Sequence, residues 1–159
     1  MNELRVGIIG TGWIAEKAAI TLAGQEGTQV LAVGSRTQKK AEAFAKEWNI
    51  ERAYGSYSAL IADPDVDLVY IGTPHSHHFQ PTMEALAAGK PWLVEKAFMA
   101  NHDEAAKVVA LARETKVFLA EAIWTRYQPI VETVKQLIDS GEIGEVRLLT
   151  ASIGYSMGN

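Results

Sequence analysis

Six residues near the N-terminus, Gly10-Thr11-Gly12-Trp13-Ile14-Ala15, have the types and spacing to hold a pyrophosphate. The first glycine permits a tight turn, the second lets a phosphate reach the backbone, and a small third residue lets a helix pack closely on a strand. A helix that opens here presents free N–H groups and a partial positive charge to an anion. The context fits. The apolar run Leu4–Ile9 precedes the turn, and Ile14, Ala18 and Leu22 follow it at helical spacing. A strand–turn–helix setting is what separates a phosphate cradle from a glycine turn with no ligand. The second apolar run, 30–33, is followed by Gly34-Ser35-Arg36-Thr37, with Lys39 and Lys40 beyond. An acid at this strand end would bind the ribose hydroxyls of NAD. None is present. Ser35 and Arg36, with Lys40 adding charge, suit the 2′-phosphate of NADP, because arginine grips phosphate with two parallel N–H groups. NADP is therefore the expected cofactor and NAD the alternative. In the competing reading, Arg36 and the lysines are only a solvated helix start.

Three further polar clusters each follow an apolar run: Thr73-Pro74-His75-Ser76-His77-His78, Glu95-Lys96, and Glu121-Ala122-Ile123-Trp124-Thr125-Arg126. Open parallel sheets bind ligands at the carboxyl ends of their strands, so these clusters should converge on one crevice. Lys96 is the candidate for chemistry. Beside a bound cofactor it can give a hydrogen bond or a proton to a substrate oxygen. Glu95 can orient it or bind ribose; the plainer alternative is a surface Glu–Lys ion pair. Residues 75–78 hold three histidines, but no Asp or Glu joins His75 and His78 in the same turn, and no zinc pattern is recognisable. Contacts from Thr73, Pro74, His75 and His78 to cofactor or substrate are expected instead, and no metal. Trp124 could wall the pocket or pack in a core; Arg126 is a further cofactor candidate. Trp13 and Ile14 lie within the phosphate turn. Trp13, Trp48 and Trp92 otherwise read as structural, with Trp13 close enough to touch the pyrophosphate.

The elements that must position these groups alternate. Strands are expected at 4–9, 30–33, 53–54, 68–71, 91–94 and 117–120. Helices are expected at 13–22, 38–48, 56–62, 78–88 and 101–115, with Ser56 and Asn101 as caps and Glu104 in the capping-box position. Gly89 is the stop of the fourth helix. Pro129 suits the first turn of a helix running to about Asp139. The expected fold is α/β: a doubly wound parallel sheet, the NAD(P)-binding Rossmann fold, over residues 1–122. Residues 123–159 are expected to be a linking helix and the first strand of an incomplete second α/β domain. In that strand, 146–153, Leu149, Ala151 and Ile153 share one face. An extra edge strand on the first sheet is the alternative.

Bulk properties bound the function. The chain has 159 residues, 48% hydrophobic and 21% charged, with net charge −4. The charge argues against a general nucleic-acid binder. No apolar run approaches the ~20 residues of a membrane span, and no secretory signal is visible. A cytoplasmic location is expected. There is no cysteine, so disulfides, thiolate metal sites and a Cys nucleophile are excluded.

The stretches Val6-Gly7-Ile8-Ile9-Gly10-Thr11-Gly12, Thr73-Pro74-x-x-x-His78, Ala85-Leu86-x-Ala88-Gly89-Lys90 and Glu95-Lys96 resemble, in order and spacing, the glucose–fructose oxidoreductase / inositol dehydrogenase / rhizopine-catabolism family. Gly34-Ser35-Arg36 and Glu121-Ala122-x-Trp124-Thr125-Arg126 look most like its dihydrodiol dehydrogenase and NADP-dependent xylose dehydrogenase branch. The resemblance implies a Rossmann domain followed by a larger domain with an open, mostly antiparallel sheet that shapes the substrate pocket and joins copies into a homo-oligomer. It implies hydride transfer between nicotinamide and a sugar, polyol or diol, with Lys96 acting at the substrate oxygen. A further catalytic Tyr, His or Asp would come from the second domain. The family usually reads Glu-Lys-Pro; here Ala97 follows Lys96. Alanine makes a cis bond costly, so Lys96 is expected to be held differently. The fragment alone is expected to bind cofactor without turnover. A non-catalytic NAD(P)-binding sensor is the second reading; Lys96 argues for the enzyme.

Overall fold

Short apolar runs covered on both faces read as continuous rather than alternating, and that is how β1 (Leu4–Ile9), β2 (Thr28–Gly34), β4 (Leu68–Ile71) and β5 (Trp92–Glu95) are built. With β3 (Arg52–Tyr54) and β6 (Leu119–Ala122) they form one sheet in the order β3-β2-β1-β4-β5-β6, every neighbouring pair parallel. The computed structural model describes residues 3–154. The chain separates into two compact units, Met1–Ala122 and Ile123–Asn159.

Helices cover both faces of the sheet. On one face α1 (Trp13–Ala23) and α2 (Gln38–Glu47) bury Ala15, Ala19, Phe44 and Ala45 against Val6, Ile8, Val33 and Tyr70. On the other, α3 (Tyr57–Ile61), α4 (Phe79–Ala87) and α5 (His102–Thr115) bury Leu60, Leu86 and Val108 against Ile9, Val69, Ile71 and Trp92. The alternation along β4 is visible here: Val69 and Ile71 face one core, Tyr70 the other. The caps are where the sequence places them. Ser56 accepts from Ala59 N, and Asn101 accepts from Glu104 N at 3.0 Å. Glu104 reaches back to Ala100 N rather than to the cap residue itself.

The seam that matters for function lies between β1 and β4, where the sheet order reverses. Val6 pairs with Leu68 and Ile9 with Ile71. Gly72 N donates to Ile9 O at 2.9 Å at one end. At the other, Asp67 N donates to Arg5 O, and the Arg5 guanidinium grips Asp67 through Nε and Nη2, each at 3.0 Å.

One expectation needs correction. Strand β6 runs 119–122, not 117–120; its register sets Leu119 opposite Trp92, and Phe118 is 60% exposed. Ahead of α4, residues His75–His77 form a separate 3-10 turn that follows Pro74. Among the described residues, 146–153 join no sheet, neither as the first strand of a second nor as an edge of the first. Leu148 and Leu149 are 84% and 74% exposed. Alternation supplies a face, but a strand also needs a neighbour for its backbone groups. The second unit instead consists of a 3-10 turn, Trp124–Tyr127, and α6 (Pro129–Asp139) with proline in its first turn.

Candidate functional site

Gly10 sits at φ 109°, a backbone region open to glycine and strained for other residues. A Cβ there would meet Gly72 O at 2.8 Å, so the turn is pressed against the β4 loop. At Gly12 a Cβ would meet nothing within 4 Å. That open space lies at the N-cap of α1, which has no side-chain cap. The helix's first N–H groups are thus free for an anion that can approach without obstruction. Ala15 is fully buried, and its Cα lies 3.6 Å from the position a Gly72 Cβ would take. Close helix–strand packing thus depends on two small residues. These features fit a dinucleotide pyrophosphate.

A cleft of about 520 Å³ runs from this turn toward β2. It joins Gly10, Thr11 and Gly12 to Ser35, Arg36 and Lys40 on one lip and to Thr73 and Pro74 on the other. Ser35 is 4% exposed and its N–H donates to Tyr54 O, whereas Arg36 and Lys40 are exposed. A fixed hydroxyl beside two cations can accept an extra phosphate. Four lining residues were not read from the sequence: Thr37, Tyr57, Gly72 and His77. Thr37 caps α2 through Lys40 N and Tyr57 follows the Ser56 cap, so cap positions at the ends of β2 and β3 were the available signal. Burial pushes the Tyr57 hydroxyl pKa up, against the pull of the Arg36 charge.

Trp13 and Ile14 are in the first turn of α1 but do not line the cleft. The structural reading of Trp13 fails: it is 68% exposed. Trp92, in contrast, is fully buried and stacks on Phe98, 6.0 Å between centroids.

Lys96 follows the end of β5, exposed. Its loop is fastened from three neighbouring elements. From the β4 loop, His75 Nε2 meets Lys96 O at 3.0 Å. The fully buried His78 ring has Nε2 2.7 Å from Thr73 O and Nδ1 3.1 Å from both Ala97 O and Phe98 O. An N–H on either ring nitrogen therefore lands on a carbonyl. From β6, the Glu121 carboxylate accepts from Phe98 N at 2.7 Å. From β4, Tyr70 OH donates to Glu95 Oε1 at 2.6 Å. Glu95 Oε2 accepts from the Lys96 backbone N–H. The expected alternative of a Glu95–Lys96 side-chain ion pair is not what the carboxylate does. The Lys96–Ala97 peptide is cis, against the expectation drawn from Ala97.

The histidines serve this fastening. His75 and His78 stand edge to face, 5.7 Å apart, and among the described residues no group of three His, Asp or Glu side chains could hold a metal. Trp124 and Arg126 lie on the 3-10 turn of the second unit, both exposed. Among the described residues, no helix is long and apolar enough to cross a membrane.

Comparison with known proteins gives the same picture. The model of the oxidoreductase family with an NAD-binding Rossmann fold, the glucose–fructose oxidoreductase / inositol dehydrogenase / rhizopine-catabolism family, matches residues 4–122. An NADP-dependent D-xylose 1-dehydrogenase of Hypocrea jecorina is 46% identical over 90% of this chain and 40% of its own length. A trans-1,2-dihydrobenzene-1,2-diol dehydrogenase of Mus musculus is 40% identical over 97% of this chain and 47% of its own. A crystal structure of a 3-ketoreductase from Actinomadura kijaniata with NADP superposes with a TM-score of 0.81 at 34% identity, over 92% of this chain and 47% of that one. The chain spans less than half the length of these relatives. With the phosphate turn, the β1–β4 crevice and a family match over the whole sheet, the chain belongs to this family of NAD(P)-binding Rossmann oxidoreductases.

Proposed function

We propose that this chain is the cofactor-binding part of an NADP-dependent oxidoreductase acting on a carbon that bears a hydroxyl, in a sugar, polyol or diol. The observation that carries the reading is the single cleft joining the Gly10–Gly12 turn to Ser35, Arg36 and Lys40, with no acid at the end of β2. The relatives' named substrates, a xylose and a dihydrodiol, support the substrate class.

When bound, the nicotinamide supplies the hydride donor or acceptor. The chain's own groups do the rest. The α1 N-terminus holds the pyrophosphate, and Ser35, Arg36 and Lys40 hold the 2′-phosphate. Thr73 and Pro74 form the opposite lip. In the reducing direction, the Lys96 ammonium gives a hydrogen bond or a proton to the substrate oxygen as that oxygen gains charge. In the oxidising direction its amine takes the proton back. His75 holds the Lys96 carbonyl, and His78 and Glu121 hold the Ala97–Phe98 backbone that follows. A second acid–base residue, most of the substrate pocket and the surface joining copies of the protein are assigned to the part of the relatives' length that this chain does not span.

Titration of this chain with NADPH and NADH, followed by nicotinamide fluorescence, tests the cofactor reading. NADPH should bind at least about tenfold tighter, a difference of about 1.4 kcal/mol. Equal affinities would remove the 2′-phosphate assignment. Tight NADPH binding with no turnover of any hydroxyl substrate, in a protein carrying this chain and a substrate domain, would favour a sensor.

A further inference from the structure

Tyr70 is buried in the middle of β4, 5% exposed, on the sheet face that packs against α1. A tyrosine there is not needed for packing alone, since Val69 and Ile71 on the same strand fill the opposite core without a polar atom. Its hydroxyl must find a partner, and it finds one only at the end of β5: the Glu95 carboxylate, at 2.6 Å. A charge-assisted bond of this length is stronger than a neutral one and fixes direction. The same ring touches the phosphate side. A Cβ on Gly72 would meet Tyr70 Cε1 at 3.0 Å and Ile14 Cγ2 at 3.3 Å. The ring therefore lies beside Gly72, which lines the cleft, while its hydroxyl reaches the dipeptide that carries Lys96.

We propose that Tyr70 is a positioning residue that orients Glu95, and through it the nicotinamide half of the bound cofactor. Glu95 is half-buried at the strand end, with one oxygen taken by Tyr70 and the other by Lys96 N. A carboxylate has about four lone-pair sites, so each oxygen keeps one for a ligand hydroxyl. The Tyr70 bond fixes one side-chain rotamer of Glu95 at the carboxyl end of β5, the end at which an open parallel sheet binds its ligand. Without it, Glu95 is free to turn into solvent at the exposed end of the strand. The adenosine half is bound by Ser35, Arg36 and Lys40, on the far side of β1 from Glu95. It should not sense the change. The proposal rests on the cofactor reading above.

The test uses this chain and two probes: NADPH, and 2′,5′-ADP, which has the adenosine half but no nicotinamide. Tyr70→Phe removes only the hydroxyl. It should weaken NADPH about fivefold to tenfold and leave 2′,5′-ADP within about twofold. Glu95→Ala should show the same selective loss, and Tyr70→Phe/Glu95→Ala should bind NADPH no more weakly than Glu95→Ala alone. Equal losses for both probes would make Tyr70 merely structural and overturn the proposal. So would unchanged NADPH affinity in Tyr70→Phe, or losses that simply multiply in the double variant. Failure of the unsubstituted chain to bind 2′,5′-ADP would instead overturn the cofactor reading, and this proposal with it.

Discussion

On the proposed reading Arg36 distinguishes the two nicotinamide dinucleotides: with Lys40 it is an exposed cation at the β2 end of the cleft, and no acid stands at that strand end. A guanidinium–phosphate contact contributes about 2 kcal/mol. Arg36→Ala should therefore weaken NADP about thirtyfold and NAD by much less, by calorimetry. Gly10 is constrained by backbone rather than charge. At φ 109°, with Gly72 O 2.8 Å from where a Cβ would stand, alanine must shift two loops. Gly10→Ala should cost about 3 kcal/mol of stability, read from urea unfolding. A loss below about 1 kcal/mol would show that the turn yields easily. Both residues were legible in the sequence, since a glycine at a strand–helix junction and an arginine at the next strand end carry their reasons locally. Tyr70 was not. Its importance depends on β4 lying beside β5, and strand order is not written in any one segment.

At the scale of elements, the loop after β5 is held by groups from β4's loop and from β6 rather than by its own sequence. His78 has the largest share. Being fully buried, it leaves a cavity when removed, and the carbonyl that its ring N–H reaches loses that donor. His78→Ala should lower stability by about 3 kcal/mol, with the Tm shift checked by calorimetry. A Tm within about 1 °C would mean that water replaces the ring. The sequence shows where helices begin when a side chain does the capping, as at Ser56 and Asn101. It gives no sign of the 3-10 turn at His75–His77, which comes just before the helix expected from 78. It misplaces β6 by two residues, because Val117 and Phe118 look like strand and only pairing with Trp92 sets the start. The stretch 146–153 has the alternation of a strand and pairs with none among the described residues.

The whole molecule places its densest charge network opposite the cleft, at the amino ends of the strands. Arg5 pairs with Asp65 and Asp67, and Arg52 with Asp63 and Asp65. Burial pushes Asp63 up, but the Asp65 N–H, the Tyr54 hydroxyl and Arg52 together hold it below the ordinary carboxylate value. Hydrogen bonds from the arginines lower Asp65 and Asp67 likewise. Folded values below unfolded ones mean stability that is complete above the unfolded pKa and drains away as pH falls through the folded values. Asp65→Asn should therefore be less stable than the unsubstituted chain at about pH 7, and the gap between the two Tm curves should narrow as pH falls below about 4, the ordinary carboxylate value. Parallel curves would remove this network as a source of acid sensitivity. The β1–β4 seam has a different consequence. The cleft straddles it, with Gly10–Gly12, Ser35 and Arg36 on one side and Thr73 and Pro74 on the other. A molecule lying there is a rivet between two halves of the sheet. Its arrival should slow amide hydrogen exchange in β2 and in β5 together, although neither strand touches the other.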